Sequence, residues 1–145
     1  MDLHGRRRRA DRLRDLTGRV PRVVAQHHAG SLPGGQPGTD NLNADPRVKE
    51  LLISFSRKGK LTGAICAAPI VLANAGLMQG KRATSYPSYQ DRLGGAVYEE
   101  KSVVTDGTVL TSRGAGTALS FGLAIVERLV SKETAQKIKE AMLIP

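Results

Sequence analysis

An α/β layered fold is predicted for this 145-residue chain by three observations. From Leu32 onward, apolar strand-like runs alternate with amphipathic helical stretches; the run 61–65 passes abruptly into a helical pattern; and residues 102–111 carry a strong hairpin signal. The length is that of one domain, and 40% apolar residues suffice for a core. With 3% aromatic residues and no Trp, that core has to be built from Val, Leu, Ile and Ala.

Residues 1–31 show neither strand alternation nor a sustained helical face, although Leu13 and Leu16 lie three apart and Val20, Val23 and Val24 flank Pro21. They hold eight Arg against three Asp, so this segment contributes +5 of the net charge of +9. A run such as Arg6–Arg9 can bind phosphates or serve as a nuclear address, but such runs are more often solvated tails. The reading is a basic, disordered segment and no nucleic-acid partner. Asp2, Asp11 and Asp15 interrupt the positive stretch and no Ser precedes Ser31, which argues against a transit peptide. All three histidines, His4, His27 and His28, fall in this segment without metal-ligand spacing, so no metal is expected.

The glycine-rich stretch 32–38 reads as a loop that lets backbone approach closely. Asp45-Pro46 is an N-cap and first-turn pair for a helix with Val48, Leu51, Leu52 and Phe55 on one face, ended by Gly59. A strand over 61–65 leads into a helix that starts at Cys66 and stops at Gly76. Residues 81–84 read as another short strand before Tyr86-Pro87. Asp106-Gly107, between two β-branched runs, supplies the positive φ angles of a tight hairpin. Thr117 is positioned to cap a helix with Leu119, Leu123, Ile125, Val126, Leu129 and Val130, and a last helix covers 132–142.

Cys66 is the residue with the most chemistry in its setting. At a strand-to-helix turn a thiol lies over unpaired N–H groups, where the positive end of the helix dipole favours the thiolate. The neighbours Gly63, Ala64, Ala67 and Ala68 are small, as a sharp turn requires, and Pro69 suits a first helical turn. The competing reading is an ordinary buried cysteine. A single Cys excludes an internal disulfide and points to a reducing compartment, with the cytoplasm as default. No apolar run approaches the roughly 18 residues that span a bilayer, and the N-terminus has no secretory h-region, so no membrane partner is expected.

The blocks Leu32-Pro33-Gly34-Gly35, Ala64-Ile65-Cys66-Ala67-Ala68-Pro69, Tyr86-Pro87 and Leu110-Thr111-Ser112-Arg113-Gly114-Ala115-Gly116-Thr117, in this order and spacing, resemble the DJ-one/ThiJ/PfpI family. The resemblance covers residues 32–145 and is nearest to the ThiJ-like branch. Ala67 stands where the peptidase-like branch has His, which disfavours a protease. The resemblance implies a flavodoxin-like three-layer α/β/α sandwich, a homodimer, no cofactor, and a cysteine that attacks reactive carbonyls such as methylglyoxal or the glycated adducts they form. Carried over by position, Cys66 is the nucleophile and the backbone N–H groups of Gly35 and Ala67 form an oxyanion pocket, with Gly34, Tyr86 and Pro87 around it. Tyr86 replaces a family histidine.

Upstream of Leu32 this chain departs from the family. The opening strand, the loop bearing a glutamate that contacts the cysteine, and the buried strand running into Leu32 are all missing, and no Glu precedes Glu50. The domain is therefore expected to be truncated at its N-terminus, with residues 1–31 a non-family segment. The abrupt switch reads as an alternative start, a frameshift or a mispredicted gene model. Without that glutamate, activation of Cys66 would rest on the helix terminus alone. The leading expectation is a glyoxalase or deglycase, impaired by this loss. The alternative is a non-enzymatic redox sensor or chaperone-like protein of the oxidative-stress response.

Overall fold

The computed structural model describes residues 27–145. Four strands form the main sheet: β1 (Ala29–Leu32), β2 (Leu61–Ile65), β5 (Val103–Asp106) and β6 (Val109–Ser112), in the order β1-β2-β6-β5. β1, β2 and β6 run parallel, and β5 pairs antiparallel with β6 through the hairpin. A parallel pair, β3 (Arg82–Ala83) and β4 (Val97–Tyr98), stands apart from it. The helices are α1 (Gly38–Ala44), α2 (Pro46–Arg57), α3 (Pro69–Asn74), α4 (Ala118–Leu129) and α5 (Lys132–Ala141), with 3₁₀ turns at Pro87–Arg92 and Ala115–Thr117.

Alternation along the strands divides the core between the two faces of the sheet. On one face Leu32, Ala64 and Val109 pack with Leu52 of α2 and with Ile70, Val71 and Leu72 of α3. On the other, Leu61 and Leu110 meet Phe121 of α4. This is the three-layer, flavodoxin-like arrangement, helices on both sides of a largely parallel sheet. Gly63 belongs to the α4 face: a Cβ there would lie 3.1 Å from Phe121 Cζ, so its missing side chain is the space the ring uses. Among the described residues no helix is long and apolar enough to cross a membrane.

Most elements form where local signals place them. Asp45 caps α2, its carboxylate accepting the Arg47 N–H at 3.0 Å, with Pro46 as first residue. Ser131 caps α5 by accepting from Thr134 N–H. Four details differ from the sequence reading. First, a strand does run into Leu32. β1 pairs Ala29 with Leu61 and Leu32 with Ala64, so partnership with β2 overrides the weak strand propensity of Ala29-Gly30-Ser31. Second, α1 forms in a stretch of poor helix formers because the Thr39 N–H reaches Gly35 O at 2.9 Å and the Gln36 side chain accepts the Asp40 N–H at 3.3 Å. Third, Asp106 pairs with Val109, so the hairpin loop is Gly107-Thr108 rather than Asp106-Gly107. Asp106 is kept in the strand while its carboxylate accepts the Arg82 N–H at 2.9 Å. Only Gly107 in that loop has positive φ, at 59°. Fourth, Thr117 precedes α4 without capping it; its hydroxyl is committed to Ser112 and Gly114.

Candidate functional site

Cys66 follows directly on β2, which ends at Ile65, and turns the chain toward α3. It is not the first residue of the helix, as the sequence pattern implied. α3 begins at Pro69 with Ala68 as N-cap, and Cys66 occupies the corner in the left-handed region at φ 64°. For a residue with a Cβ that region costs about 1–2 kcal/mol, and it persists only where neighbours hold the backbone. Two hydrogen bonds do so. The Cys66 N–H donates to Ser112 O at the end of β6, at 3.0 Å, and Cys66 O accepts the Tyr86 N–H at 2.9 Å. The thiol side chain is half-buried, and among the described residues none hydrogen-bonds to its sulfur.

The glycine loop after β1 closes on this corner. Because β1 and β2 are parallel neighbours in register Leu32 to Ala64, the residues just beyond each strand end emerge side by side. A Cβ on Gly34 would lie 2.5 Å from Cys66 Cβ and 2.7 Å from Ile65 O, so only glycine fits. Gly35 follows at φ 86°, another glycine-favouring conformation. Among the described residues, neither the Gly35 N–H nor the Ala67 N–H has a hydrogen-bond acceptor. An N–H without an acceptor, where it lies beside an attacking sulfur, can stabilise the oxyanion formed on a carbonyl.

Tyr86 forms a further wall. It is anchored by its N–H to Cys66, its side chain is 49% exposed, and the ring lies 3.6 Å from where a Gly114 Cβ would be. Pro87 opens the 3₁₀ turn that follows and is exposed. The segment 112–117 is held by Thr117, whose Oγ1 lies 2.7 Å from Ser112 Oγ and accepts the Gly114 N–H at 3.1 Å. The structure thus brings Gly34 and Tyr86 to Cys66 and sets Gly35 and Ala67 next along the chain, while Pro87 stays at the rim. The part played by Ser112 was missed from sequence, although it lies within a recognised block. So was that of Gln36 and Tyr89, whose side chains hydrogen-bond at 3.1 Å, linking the glycine loop to the turn after Tyr86. That pair carries no local signal, since its members are far apart in the chain.

His27 and His28 are exposed at the head of β1. Among the described residues no three His, Cys, Asp or Glu side chains are grouped so that they could hold a metal ion. His4, the Arg6–Arg9 run and Asp2, Asp11 and Asp15 lie outside the described residues.

Residues 23–128 match the DJ-1/PfpI family, so the match begins upstream of Leu32. Protein dj-1beta of Drosophila melanogaster is 44% identical over 115 residues, 78% of this chain and 62% of that protein. A crystal structure of Drosophila DJ-1beta superposes with a TM-score of 0.79 at 40% identity, covering 87% of this chain and 69% of that one. The glutathione-independent glyoxalase DJ-1 of Schizosaccharomyces pombe is 32% identical over 123 residues, 83% of this chain and 64% of that protein. Oxidized DJ-1 of Toxoplasma gondii superposes with a TM-score of 0.78 at 32% identity, covering 86% and 68% of the two chains. The chain spans a little under two thirds of the length of these two curated relatives. With the cysteine corner and the glycine loop in this arrangement on this sheet, and a match over most of its length, the chain belongs to the DJ-1/PfpI family.

Proposed function

We propose that the protein is a cysteine-dependent glyoxalase that converts methylglyoxal to lactate without a cofactor, and that the same thiol chemistry reaches glycated protein or nucleotide groups. The observation that carries this reading is the left-handed Cys66 corner packed against the glycine loop, with the N–H groups of Ala67 and Gly35 lacking an acceptor among the described residues. A relative named as a glutathione-independent glyoxalase supports it.

The reaction balances without an external oxidant. The Cys66 sulfur adds to the aldehyde carbon, an S–C bond forms, and the carbonyl π electrons move to oxygen, which takes a proton to give the hemithioacetal. The former aldehyde C–H proton then leaves and one returns to the ketone carbon through an enediol, so the first carbon is oxidised to a thioester as the second is reduced to an alcohol. Water hydrolyses the thioester, releasing lactate and the thiol. The Gly35 and Ala67 N–H groups serve the oxyanion steps. As no described side chain hydrogen-bonds the sulfur, the proton transfers run through water in this reading. Turnover is then expected to be slower by part or all of the about 10²- to 10⁴-fold that a positioned acid–base group contributes. The test is lactate production from methylglyoxal by purified protein, with Cys66→Ser as control. Wild-type turnover abolished by the substitution supports the reading, and equal rates reject it.

A second reading is a redox sensor that reports oxidation at Cys66 without turnover. A half-exposed lone cysteine and the similarity to an oxidized DJ-1 favour it. Mass spectrometry after mild peroxide should then find added oxygens on Cys66 ahead of Met78 and Met142, in protein that produces no lactate.

A further inference from the structure

The contacts around the Cys66 corner close into a ring that includes two residues outside the family blocks. Cys66 O accepts the Tyr86 N–H at 2.9 Å, and Tyr86 O accepts the Tyr89 N–H at 3.0 Å. The Tyr89 hydroxyl accepts from Gln36 Nε2 at 3.1 Å. Gln36 directly follows Gly35, and Gly34 lies against Cys66 with no room for a Cβ. The two ends of the Gln36–Tyr89 bond differ in how firmly they are held. Tyr89 is half-buried, and its ring packs against the larger core cluster. Gln36 is exposed but its amide is fully oriented: Nε2 also donates to Asp40 Oδ1 at 3.3 Å, and Oε1 accepts the Asp40 N–H at 3.3 Å in the first turn of α1. The ring of Tyr89 is held by the core, and its hydroxyl grips a loop whose Gly34 lies in van der Waals contact with Cys66.

We infer that Gln36 and Tyr89 form a latch that holds the Gly34-Gly35 loop against Cys66 and sets the Gly35 N–H at the carbonyl oxygen, making both positioning residues for the reaction. This rests on the glyoxalase reading given above. The physical ground is that an oxyanion donor acts only if it is held in place before charge develops, and small displacements of such a donor cost rate rather than substrate binding.

The test uses the whole chain and the variants Tyr89→Phe, which keeps the packed ring and removes only the hydroxyl, Gln36→Leu, and the double variant. Hydrogen exchange of the Thr39 amide, which donates to Gly35 O of the loop at 2.9 Å, is read beside that of α2 as control. In Tyr89→Phe this amide is expected to exchange about fivefold faster, the size of one net hydrogen bond, with α2 unchanged. With methylglyoxal, kcat should fall about threefold to tenfold while KM moves less than twofold. For both readouts the double variant should be no worse than Gln36→Leu alone, because removing either partner breaks the same bond. Unchanged Thr39 exchange in Tyr89→Phe overturns the latch. Faster exchange with unchanged kcat overturns the positioning role. If the wild type itself produces no lactate, the glyoxalase reading falls, and the latch is judged by exchange alone.

Discussion

At Cys66 backbone conformation and chemistry pull in opposite directions. The left-handed corner favours glycine, and the thiol is kept there by Ser112 on one side and Tyr86 on the other. Gly34 is the complementary residue, whose lack of a side chain admits the loop to the Cys66 corner. Gly34→Ala would place a methyl group 2.5 Å from Cys66 Cβ and 2.7 Å from a backbone oxygen, neither of which is the end of a flexible side chain. It is therefore expected to destabilise the fold by about 2 kcal/mol or more and to abolish Cys66-dependent turnover, measured by urea unfolding and by lactate production. The site was legible as residue types, since a small-residue elbow around a lone cysteine stands out. What the residues could not reveal was the backbone angle, because a left-handed cysteine has no propensity signal of its own.

Among the elements, α2 shows how one cap links stability to pH. The Asp45 carboxylate accepts the guanidinium Nε of Arg47 and, beside it, the Arg47 backbone N–H, and these bonds, the guanidinium's foremost, hold its carboxyl below the ordinary carboxylate value. A group whose pKa is depressed by folding stabilises the folded state above its unfolded pKa and loses that contribution as pH falls through the folded one. Asp45→Ala should thus cost about 1 kcal/mol at pH 7, as for loss of an N-cap, with the gap to wild type narrowing from about pH 5 toward pH 3. Urea titrations at pH 7 and pH 3 check this, and an undiminished gap at pH 3 would contradict it. This helix was readable because its capping signal is local. α1 was not, because its supports are a backbone acceptor in the glycine loop and a glutamine side chain ahead of its first residue. The hairpin was recognised at the right place but one residue out of register, since a contact with Arg82 holds Asp106 in the strand.

For the molecule as a whole, stability is concentrated where β2 and β6 lie between other strands and between helices on both faces. α5 packs on α4 rather than on the sheet, and of its residues only Ala135 is buried. Hydrogen exchange should therefore protect the β2 and β6 amides most and open α5 first, with a separation of at least about 100-fold, equivalent to roughly 3 kcal/mol of local opening energy. Uniform protection across these elements would show that the chain opens as one unit. The sequence by itself determined the alternation of strands and helices, the cap of α2, and the small-residue turn that carries Cys66, because each depends on residues within a few positions of one another. Only the tertiary structure decided that a strand forms from Ala29, that the hairpin turns one residue later, that Gly34, Tyr86 and Ser112 converge on the Cys66 corner, and that Gln36 meets Tyr89. Those outcomes depend on strand register and side-chain fit between segments tens of residues apart, which no local periodicity encodes.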